Sequence, residues 1–367
     1  MKLRPESAVI LIPSLEPDDR LPAYMRRLME AGFTRAVVVD DGSSEKYQPI
    51  FNELAQMDGV TVLHHEVNRG KGCALKTGFT YIRDHIPEAS GVITADADGQ
   101  HTVEDCWKLA NALTEDKRVL YLGSRDFDLP DVPPKSRFGN KTTSTVFKLL
   151  YGHWLPDTQT GLRAFKREDL QFMIDVPGER FEYEMQMLIA CARAKMPMVP
   201  ITIETVYENE NEGTHFHPIR DSYRIYKVIL GNFVKFMGAS IISFVIDFAV
   251  LTLLGNTIFA AVAHGPFFAK ALARCVSAPC NFYMNSRFVF EKKMSRTTFI
   301  RYVILALFIL LVSAVGVDSL MGWLKLPNLV IGFVGIVVDV VLYLVSYRVQ
   351  NKWVFAPEKA ENEKESQ

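Results

Sequence analysis

Asp96 and Asp98 stand one residue apart in Asp96-Ala97-Asp98-Gly99-Gln100-His101, directly after the apolar run Val92 to Ala95. Two carboxylates at that spacing at a strand end can both face one ion. Hard oxygen donors suit Mg2+ or Mn2+, which keep their remaining positions for water and phosphate oxygens. Two other apolar runs end in the same way: Asp40-Asp41-Gly42-Ser43 follows Ala36 to Val39, and Gly123-Ser124-Arg125 follows Val119 to Leu122. Acids for a divalent ion together with nearby cations are what a reaction needs when negative charge grows on a leaving phosphate. Arg125 and Arg137, the latter in Lys135-Ser136-Arg137-Phe138-Gly139-Asn140, are candidates to clamp a phosphate, because the planar guanidinium matches its geometry.

These residues need a scaffold that presents strand ends. Ala8 to Ile12, Ala36 to Val39, Val60 to Leu63, Val92 to Ala95 and Val119 to Leu122 are short β-branched runs of the kind buried on both faces of a parallel sheet. Helical stretches lie between them. Leu21, Met25, Leu28 and Met29 share one apolar face, Ala74, Phe79 and Ile82 another, and Val103, Trp107, Leu109, Ala110 and Leu113 a third. The alternation predicts an open α/β sheet whose ligands bind outside the carboxyl ends of the strands.

Six motifs in order give the first part of the chain a resemblance to a known family. They are Ile12-Pro13 with Glu16, Asp40-Asp41-Gly42-Ser43, Asn68-Arg69-Gly70-Lys71-Gly72, Asp96-Ala97-Asp98-Gly99-Gln100-His101, Gly123-Ser124-Arg125, and Asp157-Thr158-Gln159-Thr160-Gly161-Leu162-Arg163. Over roughly residues 6 to 225 the chain resembles glycosyltransferase family 2, of α/β GT-A (Rossmann-like, nucleotide-sugar-binding) fold, and within it the polyprenyl-phosphate sugar synthases similar to dolichol-phosphate mannose synthase. The resemblance implies a nucleotide-sugar donor held around Pro13, Glu16, Asp41, Lys71, Asp96 and Ala97. It implies a divalent metal on Asp96 and Asp98 with Gln100 nearby, and inversion at the anomeric carbon. The first loop, Pro13-Ser14-Leu15-Glu16-Pro17, departs from the tyrosine-asparagine-glutamate of many relatives, and Thr102-Val103 stands where a proline pair is common. If the acceptor is a lipid monophosphate, whose second ionisation lies near pH 6, roughly, it is largely a dianionic nucleophile at neutral pH and needs no general base. Arg125 and Arg137 would then clamp its phosphate. Glu182 and Glu184 in Phe181-Glu182-Tyr183-Glu184 are read as structural. The segment Thr205 to Ser222, with His215, His217 and Arg220, matches an active-site loop of these relatives.

From Phe233 to Phe355 charged side chains retreat into short clusters between long apolar runs, so a wholly soluble protein is excluded. A chain 49% hydrophobic with a net charge of −1 is not disordered. It also lacks the positive excess of a nucleic-acid binder. The amino-terminal apolar run stops at Pro13, too short for a secretory signal. Cys73, Cys106, Cys191, Cys275 and Cys280 have no paired spacing and read as reduced thiols. Ile219, Tyr223, Tyr226, Ile229 and Leu230 recur at helical spacing and predict an amphipathic helix at a bilayer surface.

Four apolar segments follow, Phe233 to Leu254, Ala261 to Tyr283, Tyr302 to Trp323 and Leu329 to Tyr347, each long enough to cross roughly 30 Å of hydrocarbon. They form an internal repeat. Phe233-Val234-Lys235-Phe236 and Phe299-Ile300-Arg301-Tyr302 open the two units; Asn285-Ser286-Arg287-Phe288-Val289-Phe290 and Gln350-Asn351-Lys352-Trp353-Val354-Phe355 close them. Residues 230 to 356 thereby resemble the GtrA-like membrane family, which is linked with export of lipid-linked sugars. The basic loops cluster on one side and only Lys325 on the other, which predicts both ends in the cytosol. Basic residues there also suit the anionic head of a polyprenyl phosphate, undecaprenyl or dolichyl. Asp247, Lys270, Arg274, Asp318 and Asp339 lie within apolar spans, where ionisable groups are costly; an Asp247 pair with Lys270 or Arg274 is expected.

The resulting expectation is a GT-A domain over residues 1–217, an interfacial helix over 218–232, a four-helix transmembrane domain over 233–356 and a charged tail over 357–367. The chain would be a cell-membrane hexosyltransferase for mannose or glucose, taken from a GDP- or UDP-linked donor, with a polyprenyl phosphate and the bilayer as partners. Four spans are few for a transport path, so a homo-oligomer is an open expectation. Two rival readings stay open: transfer to a glycan hydroxyl, with Glu182 or Glu184 as base, and a flippase or transporter of lipid-linked sugar.

Overall fold

The computed structural model describes residues 5–113, 118–130, 132–204, 218–262, 265–290, 292, 294–323 and 331–355. His215, His217, Lys325, the side chains of Arg220 and Asp318, and the charged tail lie outside the described residues. The chain divides into two compact units, Met1–Ile229 and Leu230–Gln367.

The first unit contains β1 (Ala8–Ser14), α1 (Arg20–Glu30), β2 (Ala36–Asp40), α2 (Gln48–Ala55), β3 (Val60–His64), α3 (Lys71–His85), β4 (Gly91–Thr94), α4 (Val103–Ala112), β5 (Leu120–Arg125), α5 (Pro134–Tyr151), β6 (Arg163–Lys166), α6 (Leu170–Asp175), α7 (Glu182–Arg193) and β7 (Met198–Ile203). Its sheet runs β3-β2-β1-β4-β6-β5-β7. After β1 the chain winds outward to β2 and β3, then returns to place β4 on the other side of β1. That reversal opens a crevice between the carboxyl ends of β1 and β4, where ligands bind in open α/β sheets. The five expected strands are present within three residues of their apolar runs at either end. All but the half-buried β3 are mostly buried, and Leu21, Met25 and Leu28 of α1 and Leu109 and Ala110 of α4 join Ile10, Ile12, Val38 and Ile93 in one core.

The sheet is mixed rather than wholly parallel, since β6 pairs antiparallel with both β4 and β5. Neither β6 nor β7 announces itself in sequence. Arg163-Ala164-Phe165-Lys166 carries a charge at each end, and Pro200 interrupts Met198–Ile203, which is tolerated because β7 is the edge strand. Arg163 is nonetheless fully buried. Its Nε donates to the Thr160 carbonyl at 3.0 Å and its Nη1 to the Glu184 carbonyl at 2.7 Å, tying the loop before β6 to α7. Arg163→Met strands both carbonyls, so it should destabilise the protein by about 1–3 kcal/mol. The check is an earlier unfolding transition of the full-length protein in detergent; an unchanged transition would remove this tie from the account.

The division between units falls within α8 (Pro218–Asn256), so the stretch expected as an interfacial helix is the first part of one long helix. Within the first unit, Ile225 and Ile229 of α8 are buried, Tyr226 Oη lies 3.2 Å from Thr143 Oγ1, and the Tyr151 hydroxyl donates to the Ile229 carbonyl at 2.9 Å.

The second unit continues with α9 (Gly265–Met284), α10 (Arg296–Trp323) and α11 (Ile331–Val349). By length and composition, one helical segment among the described residues, Tyr223–Asn256, is long and apolar enough to cross a membrane. The sequence repeat is visible in three dimensions. Asn285–Val289 and Gln350–Val354 each form one π-helical turn, closed by Phe290 N–H donating to the Asn285 carbonyl and Phe355 N–H to the Gln350 carbonyl, both at 2.9 Å. The two turns meet: Asn285 Nδ2 donates to Gln350 Oε1 at 3.1 Å, and the Phe290 and Phe355 rings stack at 4.8 Å. Large apolar side chains such as Phe244, Phe248, Leu307, Phe308 and Leu311 stay exposed on these helices, a surface that water would penalise and lipid would not.

Candidate functional site

The carboxyl ends of β1, β2 and β4 gather most of the residues singled out in the sequence. Asp96 follows β4, and its Oδ1 accepts from Lys71 Nζ at 2.7 Å while its Oδ2 lies 3.3 Å from His101 Nε2. The same Lys71 ammonium is 3.0 Å from Glu184 Oε1. Lys71 opens α3, Asp96 lies in the turn after β4 and Glu184 in the first turn of α7, so three segments converge on one cation. Burial disfavours charge on Lys71, but the Asp96 and Glu184 carboxylates more than reverse this and hold its pKa well above the usual lysine range. Asp96 is half-buried, and although desolvation opposes its charge, the Lys71 ammonium and the hydrogen bond with His101 keep its carboxyl well below the ordinary range. Asp98 is opposite: burial, then the charge of Asp96, raise its pKa. Its Oδ1 accepts from Gln100 N–H at 3.0 Å.

Space for these carboxylates depends on Gly161, in the loop before β6. A Cβ at that position would fall 2.3 Å from Asp96 Oδ2 and 2.6 Å from Oδ1. The Thr94 hydroxyl fixes the loop there by donating to the Gly161 carbonyl at 2.7 Å. The donor set fits a divalent cation: two hard carboxylates, one held uncomfortably charged beside the other, and a cradle that a Cβ would fill. Among the described residues no group of three or more His, Cys, Asp or Glu is arranged to hold a metal.

Asp41 is buried and saturated. Its Oδ1 accepts from Arg69 N–H at 3.0 Å and its Oδ2 from Gly70 N–H at 2.7 Å, while His65 Nδ1 approaches Oδ1 to 2.7 Å. A carboxylate can only accept here, so His65 carries its proton on Nδ1; Nε2 lies 2.9 Å from Thr77 Oγ1. Gly70, at φ +102°, is required because a Cβ would strike the Glu179 carbonyl and Arg180. Asp40 is held by Ser43 N–H, Gln48 and His64. Burial would raise its pKa, but these bonds outweigh it and lower it. Pro13 pairs with Val39 in the sheet, and Glu16, at φ +50°, is exposed with its N–H on Ser43 Oγ at 2.8 Å. Ala97, Asp98 and Gln100 are half-buried in the turn after β4.

Arg125 ends β5 and forms a fork with the buried Asp157, Nε to Oδ2 at 2.7 Å and Nη2 to Oδ1 at 3.3 Å. It lines a cavity of about 320 Å3 with Ser124, Asp128, Asn140, Lys141 and Trp154. Asn140 on α5 shapes this cavity by donating to the Pro156 carbonyl and accepting from Thr158 N–H. Arg137 is not among the lining residues, and its Nη2 donates to the Leu129 carbonyl at 2.7 Å. The two arginines singled out in sequence therefore do not line one cavity, whereas Lys141, one helical turn beyond Arg137, does. Glu182 closes the N-terminus of α7, its Oε1 accepting from the Glu179 and Arg180 N–H groups. His65 and Lys141 carried no motif signal; the β2–β3 pairing reveals His65, and the cavity beside Arg125 reveals Lys141.

Comparison with known proteins adds two independent matches. Residues 10–173 match Glycosyl transferase family 2, and residues 232–355 match the GtrA/DPMS transmembrane domain. Among curated relatives, the chain is 26% identical to a UDP-N-acetylglucosamine–dolichyl-phosphate N-acetylglucosaminyltransferase of Methanococcus voltae, over 54% of this chain and 85% of that protein. It is 29% identical to a polyprenol monophosphomannose synthase of Mycolicibacterium smegmatis, over 54% of this chain and 77% of the relative. Among solved structures, glucosyl-3-phosphoglycerate synthase from Mycobacterium tuberculosis, in complex with Mn2+, UDP and phosphoglyceric acid, aligns at a TM-score of 0.45 and 14% identity, covering 61% of this chain and 77% of that one. The protein is thus an enzyme that joins a catalytic domain of glycosyltransferase family 2, with a GT-A-like α/β sheet, to a GtrA/DPMS transmembrane domain.

Proposed function

We propose that the enzyme is a metal-dependent inverting transferase that moves a hexose, mannose or glucose, from a GDP- or UDP-linked donor to a polyprenyl phosphate at the cytosolic membrane face. The observation that carries this reading is the pairing, in one chain, of the β4-end carboxylates Asp96 and Asp98 with a transmembrane domain of GtrA/DPMS type. The names of the two relatives, one for N-acetylglucosamine and one for mannose, support a lipid phosphate acceptor and leave the sugar to be found.

Mg2+ or Mn2+ bound by Asp96 and Asp98, with Gln100 alongside, would supply positive charge to the departing diphosphate. Lys71, fixed between Asp96 and Glu184, adds a second positive charge from the protein itself. Pro13, Glu16, Ala97 and the loop that Asp41 fastens at Arg69 and Gly70 border the nucleotide. Arg125, oriented by Asp157, serves the acceptor phosphate, whose own charge makes it the nucleophile; Arg137, expected beside it, does not line that cavity. Transfer to a hydroxyl would need a base; Glu184 Oε1 is paired with the Lys71 ammonium, and Glu182 has Oε1 on backbone N–H groups and Oε2 without a partner. The helices α8 to α11 cross the bilayer as four spans, with both ends of the chain in the cytosol, and a homo-oligomer is compatible with so small a bundle.

The test is incubation of the purified enzyme with short-chain polyprenyl phosphate, Mn2+ and a panel of UDP- and GDP-sugars, with glycolipid followed by mass spectrometry. A polyprenyl monophosphate sugar is the expected product and names the donor. Nucleotide release without glycolipid would favour a hydroxyl acceptor, and silence across the panel would favour a transporter.

His65 gives a finer test of the donor loop. Glutamine places its amide near the position of Nε2 and asparagine near that of Nδ1. His65→Gln should raise the KM for donor by about tenfold or more, the size of one lost hydrogen bond to a charged group, with a smaller effect on kcat. His65→Asn keeps a donor to Asp41 and should restore most of the affinity. Equal KM values in both variants would remove His65 from the positioning of this loop.

A further inference from the structure

A polar cluster in the second unit is not used by the transfer reaction. Asp247 on α8 is buried; its Oδ2 accepts from Lys270 Nζ at 2.7 Å and its Oδ1 from Ser277 Oγ at 2.9 Å, and Arg274 Nε lies 3.5 Å from Oδ1. One carboxylate therefore faces two cations. The cation side chains remain open, Lys270 48% and Arg274 66% exposed, and their neighbours along α9, Phe268, Leu272 and Val276, are exposed apolar residues. Ser243 stands one turn before Asp247 on the same face of α8, and its buried hydroxyl has no hydrogen-bond partner.

Among the contacts of Asp247 two cations face one carboxylate. Excess positive charge and an idle hydroxyl in apolar surroundings are costly unless an acceptor with negative charge completes them. Guanidinium and ammonium donors side by side, with the Ser243 hydroxyl on the adjoining turn of α8, suit a group with several anionic oxygens, which a phosphate has and a chloride lacks. Ser277 holds Asp247, and Asp247 orients the two cations while its single charge offsets only one of them.

We propose that Lys270, Arg274 and Ser243, oriented by Asp247, form a phosphate-binding site within the transmembrane domain, and that its ligand is the phosphate of an anionic lipid. The proposal rests on the reading that α8 and α9 lie in the bilayer. It does not depend on the transfer reaction, since none of its residues belongs to the catalytic unit.

The experiment uses the full-length protein, transferred from detergent into vesicles of phosphatidylcholine with a minor fraction of phosphatidylglycerol, and counts co-purifying phosphatidylglycerol per chain by native mass spectrometry. The unmutated protein should retain it selectively. Lys270→Gln with Arg274→Gln should weaken retention by about tenfold or more, equivalent to about 1.4 kcal/mol. Asp247→Asn keeps an oxygen that can orient Lys270 but removes the negative charge that opposes a phosphate, and should strengthen retention, an opposite sign that misfolding would not produce. Glycolipid formation with a short-chain acceptor should be unchanged in the double variant, and serves as the separate readout of the catalytic domain. Retention that survives an excess of inorganic phosphate assigns the source to lipid, whereas displacement assigns a free phosphate to the same site. Equal retention in all variants, or a double variant that only dissociates a dimer, would overturn the proposal.

Discussion

Asp98→Ala is expected to abolish nearly all sugar transfer, by roughly 10²–10³-fold in kcat or more, the scale seen when a group stabilising developing charge is removed. The expectation follows from the strand end itself. Asp96 and Asp98 are the two carboxylates that the turn after β4 presents together, and Asp96 already spends both oxygens on Lys71 and His101. Asp98, with Gln100 N–H on one oxygen, is the carboxylate with most capacity left for a cation. Its pKa is raised by burial and by Asp96, so its charged form costs the fold stability at neutral pH, and that cost fades as the pH falls through its raised pKa. Removing it should therefore leave the unfolding temperature equal or slightly higher while activity collapses. A second readout separates cation binding from turnover: Mn2+ should raise the unfolding temperature of the unmutated enzyme and leave that of Asp98→Ala unmoved. Retained activity, or an undiminished response to Mn2+, would sink the assignment.

Gly161→Ala should cost about 10²-fold in kcat/KM, the effect of displacing a catalytic group by about 1 Å. The added methyl would sit 2.3 Å from Asp96 Oδ2, far inside van der Waals contact. The loop cannot easily retreat, because Thr94 grips the Gly161 carbonyl and the buried Arg163 grips that of Thr160. Asp96 must move instead, and with it the bond to Lys71. Gly231→Ala, where the new methyl would meet nothing within 4 Å, is the matched control and should behave as unmutated enzyme. If Gly161→Ala kept full activity, Asp96 would not be held by that loop as described.

The two expectations differ in how much of their basis is legible along the chain. Asp96, Asp98, Asp41 and Arg125 follow apolar runs whose period and turn residues are local properties, so their positions at strand ends are readable one segment at a time. The same holds for the paired closing motifs of the membrane repeat, because each π-helical turn is built from its own six residues. Other features depend on neighbours distant in sequence. That Lys71 should bridge Asp96 and Glu184 follows from the placement of α3, β4 and α7 around one crevice, and that Arg125 is paired with Asp157 follows from β5 lying beside β6. Strand β6 shows the reason most directly. Its sequence, charged at both ends, has little strand signal of its own; between β4 and β5 its backbone groups find partners on both sides, and Arg163 finds two carbonyls in place of water. Sequence by itself determined which residue types end each strand and where the apolar spans lie. The tertiary structure decided which charge meets which, because hydrogen-bond partners and desolvation depend on the order of strands in the sheet rather than on order along the chain.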